Sequence, residues 1–360
     1  MLSLKSTLRR TLTGDYAIRL LRPVLLRQGA TLFMLHRFAH SEGDRNGHDA
    51  AVLRASLAFL RRNGYARLPL GELVARLQTG TPLPPRTVVF TVDDGYADFA
   101  EVAAPIFAEF DCPVTVFLVT GFLDGSTWLW WDRLHHALLA TSKHTLALDL
   151  VGRRLRYAWD GETERAAVVG RLADEFKRVS DTVKHAAIAE VARLLDVEIP
   201  ANCPARYRPM TWEEVRACAA RGASFGPHTV THPILSRVTD AAAEQEIAVS
   251  WSRVRAETSA AVPVLCYPNG DADSFGEREC HLAQAAGLAA AVTAERRHLL
   301  AGEVACGGQQ VAYRLPRFGY PPSAEGLAQV VCGLEQTKDA ARNAFARVRR
   351  LHGAPPTAHH

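Results

Sequence analysis

The chain has 360 residues, 48% of them hydrophobic, enough to bury a substantial core as one large domain or a domain with an insertion. A formal charge of +4, from 42 basic and 38 acidic side chains, is too small to argue for nucleic acid. Seven cysteines without a Cys-x-x-Cys argue for a reducing compartment over a disulfide framework, and no run of about 18 apolar residues is present to span a membrane.

Residues 1–28 read as an N-terminal helical segment. Lys5, Arg9, Arg10, Arg19, Arg22 and Arg27 break it up, leaving no apolar core of signal-peptide length, so the expectation is a cytoplasmic protein. Leu20-Leu21 and Val24-Leu25-Leu26 with flanking arginines suit a weak membrane-surface contact, although packing on the domain is the simpler account. Ala30 to Phe38 predicts a first buried strand that delivers His36. Ala51 to Asn63, with Leu53, Leu57 and Leu60 at helical spacing, and Leu70 to Gln78 predict two helices. The β-branched run Thr87 to Val92 predicts a strand entering Asp93-Asp94-Gly95. A helix over Tyr96 to Phe110 and a strand over Val114 to Val119 complete an alternation that means a parallel α/β sheet or barrel.

Alternation then breaks over residues 122–209, far longer than the usual connections of about 2 to 6 residues. Within this insertion stand Trp128, Trp130, Trp131 and Asp132, a hairpin over Thr145 to Leu150 and Arg153 to Ala158, and two helices ending near Leu195. The tryptophans could stack on a sugar ring, but such clusters are more often core. His135-His136 cannot share a helix face and receive no ligand role. The pattern resumes with a helix from Trp212, a strand at Ala223 to Phe225, a helix to Glu257, and strands at Val264 to Tyr267, Leu288 to Val292 and Tyr313 to Phe318. The arginine pairs Arg9-Arg10 and Arg349-Arg350 read as solvated helix faces, and residues 336–360 as a helix with a disordered tail.

Gly226-Pro227 opens the segment His228-Thr229-Val230-Thr231-His232-Pro233. Two neutral imidazoles and one carboxylate of Asp93-Asp94 make the three-ligand set of a catalytic metal site, and the spare carboxylate can take a proton from water. That combination signals a hydrolase. The plainer account has the carboxylates capping the turn and the histidines filling core or turn positions; the joint occurrence of both motifs argues against it.

Thr91-Val92-Asp93-Asp94-Gly95 and His228-x-x-x-His232-Pro233 resemble the first two motifs of the polysaccharide deacetylases, the NodB-homology or carbohydrate esterase family 4 domain. Tyr267-Pro268-Asn269-Gly270 resembles a later loop of that family. The resemblance implies a distorted (β/α) barrel over residues 29–335, interrupted by the α+β insertion, that removes acetyl groups from N- or O-acetylated sugars. By the same resemblance Asp93 is the base, Asp94, His228 and His232 hold one divalent ion, and the backbone N–H of Asn269 is an oxyanion donor. Zinc is the first expectation for that ion, and the donor set also accepts cobalt, nickel or manganese.

Two departures from the family pattern stand out. Many members carry a late Leu-x-His acid, where this chain has Leu315-Pro316-Arg317-Phe318; His36, in Leu35-His36-Arg37, is the expected replacement as general acid. An arginine usually precedes the Tyr-Pro loop and steadies the base, but Cys266 stands there, and Arg317 could reach the same carboxylate or make an unrelated ion pair. The expected partner is an acetylated sugar or glycan; a cytoplasmic site favours a biosynthetic intermediate over a finished polymer. The competing readings are a hydrolase of small cyclic amides or ureides and a glycan-binding module whose catalysis has decayed.

Overall fold

Thr87–Val92 (β3) lies at the centre of the molecule because all six of its residues are buried, on both faces. A strand covered on both faces calls for parallel neighbours and an outer layer of helices. Its neighbours are β1 (Gly29–Leu35) and β4 (Val114–Leu118), both parallel to it. The computed structural model describes residues 29–40, 47–300, 302–303 and 311–333. The expected terminal segments 1–28 and 336–360, with their arginine pairs, lie outside the described residues.

Between β1 and β3 runs α1 (Ala50–Arg62), started by the Asp49 carboxylate accepting from the Ala51 N–H at 2.6 Å, and burying Leu53, Leu57 and Leu60. Then come β2 (Ala66–Arg67), which pairs with β3, and α2 (Leu70–Thr79). The helix expected from Tyr96 is not a uniform one: a π turn at Phe99–Ala103 precedes α3 (Ala104–Glu109). Pro105 supplies the reason, since it has no N–H for the carbonyl of Glu101.

The insertion builds a core of its own. Its helix α4 (Trp130–Ala140), hairpin β5–β6 (Thr145–Leu150 and Arg153–Ala158) and helices α5 (Glu162–Phe176) and α6 (Asp181–Leu194) enclose Leu134, Leu148, Trp159, Leu172 and Ile188. The chain returns through α7 (Trp212–Ala219), started by a reciprocal cap between Thr211 and Glu214, to β7 (Ala223–Pro227), parallel to β4.

After β7 the ladder thins. α8 (Asp240–Glu257) leads to β8 (Val264–Cys266), and α9 (Glu277–Ala285) to β9 (Ala290–Val292); these two strands form a separate two-stranded ladder. Isolated bridges join Phe225 to Ala261 and Val292 to Leu315, while β10 (Leu299–Leu300) and β11 (Phe318–Gly319) pair with β1. The ring therefore closes through single contacts into a distorted (β/α) barrel. The strand expected over Tyr313 to Phe318 is cut to β11 plus the Leu315 bridge, because Pro316 cannot donate to a ladder. A last helix, α10 (Ala324–Val331), packs on α1. Among the described residues no helix is long and apolar enough to cross a membrane.

Candidate active site at the carboxyl ends of the strands

In a parallel barrel the carboxyl ends of the strands meet on one rim, and β1, β3, β7 and β8 each bring a functional segment there. β3 ends at Asp93, whose N–H still donates to the Leu35 carbonyl at 2.8 Å. Asp94 and Gly95 then turn to φ values of 76° and 85°, so the two neighbouring carboxylates point in different directions. Gly95 has no alternative: a Cβ there would lie 2.9 Å from the Leu118 side chain.

His228 continues the β4–β7 ladder, donating its N–H to Leu118, and the following turn carries Thr229 and His232 at φ 66° and 59°. This uncommon backbone is held from α8. The Glu246 carboxylate accepts from the N–H groups of Val230 and Thr231 and from the Thr231 hydroxyl, at 2.6–2.9 Å. Sequence reasoning missed Glu246, which sits on a helix face among other polar residues and carries no local signal.

Together these turns bring three donors into one point. His228 Nε2 and His232 Nε2 lie 3.1 Å apart, and Asp94 Oδ1 is 3.6 Å from the first and 3.8 Å from the second. All three side chains are buried. Ligand atoms around a tetrahedral ion at about 2.0–2.2 Å stand roughly 3.3–3.6 Å apart, so the spacing comes close to that of a divalent metal site and needs only small side-chain adjustments to match it. The chemistry fits as well. His228 Nδ1 donates to the Cys266 carbonyl at 2.8 Å, which leaves Nε2 as the ring atom turned toward Asp94 and His232. Burial and the adjacent His228 hold the His232 imidazole well below its ordinary range, in its neutral, ligating form.

Asp93 is gripped by a cation. Arg317, 1% exposed, donates to Oδ1 at 2.7 Å and to Oδ2 at 2.9 Å, and spends its remaining N–H groups on Thr91 Oγ1, the Thr293 carbonyl and the Cys266 sulfur. Barrel closure puts it there, because Leu315 bridges β9 and Phe318 pairs with β1 on either side of it. Burial alone would raise the Asp93 carboxyl, but Arg317, His36 and His228 outweigh it and hold the group at about 2. Cys266 donates its thiol to Asp93 Oδ2 at 3.4 Å; burial pushes that thiol upward, which keeps it protonated.

The remaining expected residues surround a cavity of about 630 Å³. His36 Nε2 is 3.9 Å from Asp93 Oδ2 and is half exposed to that cavity. Asn269, at φ 62°, follows Pro268, and its backbone N–H donates to no described residue. The insertion forms the far wall with Trp131, Asp132, His135, Lys177 and Arg206. Trp128 is buried as core, whereas Trp130, also buried, and the half-buried Trp131 both line the cavity. His135 joins no three-residue metal-ligand cluster among the described residues; its Nδ1 meets the Tyr207 hydroxyl at 3.1 Å.

Residues 80–291 match the family model for polysaccharide deacetylases. A stretch of 74 residues is 35% identical to the poly-beta-1,6-N-acetyl-D-glucosamine N-deacetylase of Escherichia coli (strain K12), covering 21% of this chain but only 11% of that protein. The Streptococcus pyogenes deacetylase PplD, solved in complex with acetate, superposes with a TM-score of 0.55 at 16% identity, covering 84% of this chain and 98% of that one. IcaB from Ammonifex degensii gives 0.53 at 14% identity, covering 86% and 98%. At this identity the solved structures share the barrel fold with this chain.

Proposed function

This chain belongs to the polysaccharide deacetylase family, and from that premise we propose that it hydrolyses an acetyl group from an N- or O-acetylated sugar, in a bacterial polysaccharide or its biosynthetic intermediate. The observation that carries the reading is the meeting, on one cavity floor, of the Asp94, His228 and His232 ligand atoms with a separate carboxylate, Asp93, clamped by Arg317. Asp94, His228 and His232 would hold a divalent ion, zinc by preference, which acts as a Lewis acid and lowers the pKa of water from about 15.7 toward roughly 7.

The protein's own groups divide the rest of the work. Asp93, always ionised near neutral pH, receives the proton of the attacking water, while Arg317 fixes both of its oxygens. A carboxylate held at about 2 is a weak base; water of lowered pKa leaves it a modest task. The free Asn269 N–H donates to the oxyanion developing on the acetyl carbonyl. His36, on the open side of Asp93, protonates the departing amine or alcohol.

The test is acetate release by the purified, zinc- or cobalt-loaded protein from a panel of acetylated oligosaccharides. The name of the Escherichia coli relative makes β-1,6-linked N-acetyl-glucosamine oligomers the first substrates to try. Release that stops on chelation and returns with metal supports the reading. No release from any member with metal bound moves the assignment to the small-amide hydrolase, and failure to bind metal moves it to the glycan-binding module.

A further inference from the structure

The two histidines of the site are oriented by different means. His228 has its Nδ1 on the Cys266 carbonyl, the ordinary outer partner of a metal-ligating imidazole. His232 Nδ1, equally buried, finds no hydrogen-bond partner on any other described residue. Besides the ring of His228, what meets its ring is Trp131, from the first turn of the inserted helix α4, in a T-shaped arrangement at 73° with ring centroids 4.6 Å apart.

Trp131 is itself pinned. Its indole Nε1 donates to the Tyr96 hydroxyl at 2.9 Å, and that hydroxyl donates to Asp132 Oδ2 at 2.5 Å. Tyr96 lies two residues beyond Asp94, on the barrel side, and the Arg37 guanidinium covers its ring at 4.0 Å while pairing with Asp98. Tyr96 and Asp132 are both buried, 1% and 5% exposed. One phenol thus ties two consecutive residues of the insertion to the strand end that carries Asp94.

We propose that Trp131 is a positioning residue for His232, held in place by the Tyr96–Asp132 hydrogen bond, so that the insertion completes the metal centre of the barrel. An imidazole without an Nδ1 partner is free to rotate about its Cβ–Cγ bond unless packing stops it. The indole, packed roughly perpendicular to the imidazole, blocks that rotation from one side, which keeps Nε2 aimed at the point shared with His228 and Asp94. The inference rests on the metal-binding part of the proposed function and extends it to a residue outside both sequence motifs.

The experiment is Co(II) titration of the full chain, following d–d absorption and competing with a chelator, together with circular dichroism and thermal unfolding of the metal-free forms. Trp131→Leu should weaken Co(II) binding about 10- to 100-fold, the usual loss when an outer partner of a ligating histidine is removed. Its cobalt spectrum should change while metal-free unfolding stays near wild type. Trp131→Phe keeps an aromatic ring against His232 and should restore binding to within a few-fold. Tyr96→Phe removes a single oxygen and should fall between the two. Wild-type affinity and spectrum in Trp131→Leu would overturn the positioning role and leave the proposed function standing. A wild-type protein that takes up no cobalt or zinc would overturn both. Equal losses in Trp131→Leu and Trp131→Phe that track lowered thermal stability would reduce Trp131 to a packing residue and also overturn the proposal.

Discussion

The barrel rim and the insertion reach the same cavity by opposite routes. On the rim, each functional group is the first residue or two beyond a buried strand, and the ladder positions it: Asp93 still bonds to Leu35, and His228 to Leu118. Among the described residues the hairpin of the insertion shares no sheet with the barrel, and the return segment bonds to the barrel through the backbone, Ala97 donating its N–H to the Arg208 carbonyl at 3.0 Å beside a bridge between Tyr96 and Pro209. The insertion folds around a separate apolar core and presents Trp131 and Asp132 from a helix start, joined to the barrel through the Tyr96 hydroxyl. Chemistry that depends on fixed donor distances therefore belongs to the rim, and the insertion shapes and steadies what the rim supplies.

The sharpest way to break this division is to remove rim chemistry without touching geometry. Asp93→Asn keeps the shape of the side chain and should lower acetate release by about 10²- to 10⁴-fold, as loss of a general base does. Co(II) uptake should stay at wild-type level, because Asp93 is outside the proposed ligand set. Full activity in Asp93→Asn would reassign the base.

Arg317→Met tests whether the clamp or the ladder holds that carboxylate. Removing one partner of a buried ion pair costs about 3–5 kcal/mol, to be read from denaturant unfolding of the metal-free protein. The sign of the pH effect is also set. The folded Asp93 carboxyl is depressed to about 2, so its stabilisation is present above the ordinary carboxylate range and is lost as pH falls toward 2. Without Arg317 the largest influence left on Asp93 is burial, which raises it, so acid unfolding of Arg317→Met should begin at higher pH than in the wild type. Identical acid-unfolding curves would show that the ladder suffices.

His36→Ala should be milder, roughly a 10²-fold loss in kcat, at the low end for proton transfer. The deficit should shrink for acetyl esters with good leaving groups, which need little protonation. A uniform loss across leaving groups would point to binding rather than proton donation.

Legibility from sequence followed the same boundary between rim and insertion. Asp93-Asp94-Gly95 and His228-x-x-x-His232 were readable because each is local: a buried strand, a turn, and donors within five residues. The hairpin and helices of the insertion were readable from their own periodicity. Arg317 was readable only as one of two alternatives, since its approach to Asp93 depends on a barrel closed by the lone bridge at Leu315 and the two-residue β11. Glu246 and the Trp131–Tyr96–Asp132 link were not readable at all. Both arise where separately folded pieces dock, and docking leaves no period in the chain.

Glu246 offers the finest test, because it acts on the rim from outside. Its two oxygens accept from three donors on the Val230–Thr231 turn. Glu246→Gln preserves size but replaces one acceptor with an amide that must face N–H and O–H donors. The expected loss is about 1 kcal/mol, the difference between a charged and a neutral acceptor. It should be concentrated in that turn and appear as faster amide exchange at Val230 and Thr231, with the barrel strands unchanged. Because His232 follows Thr231 directly, Co(II) affinity should fall slightly in the same variant. Faster exchange with unchanged affinity would mean that His232 takes its aim from the Trp131 side of the cavity alone, which places more of the metal centre's precision on the insertion than on the turn.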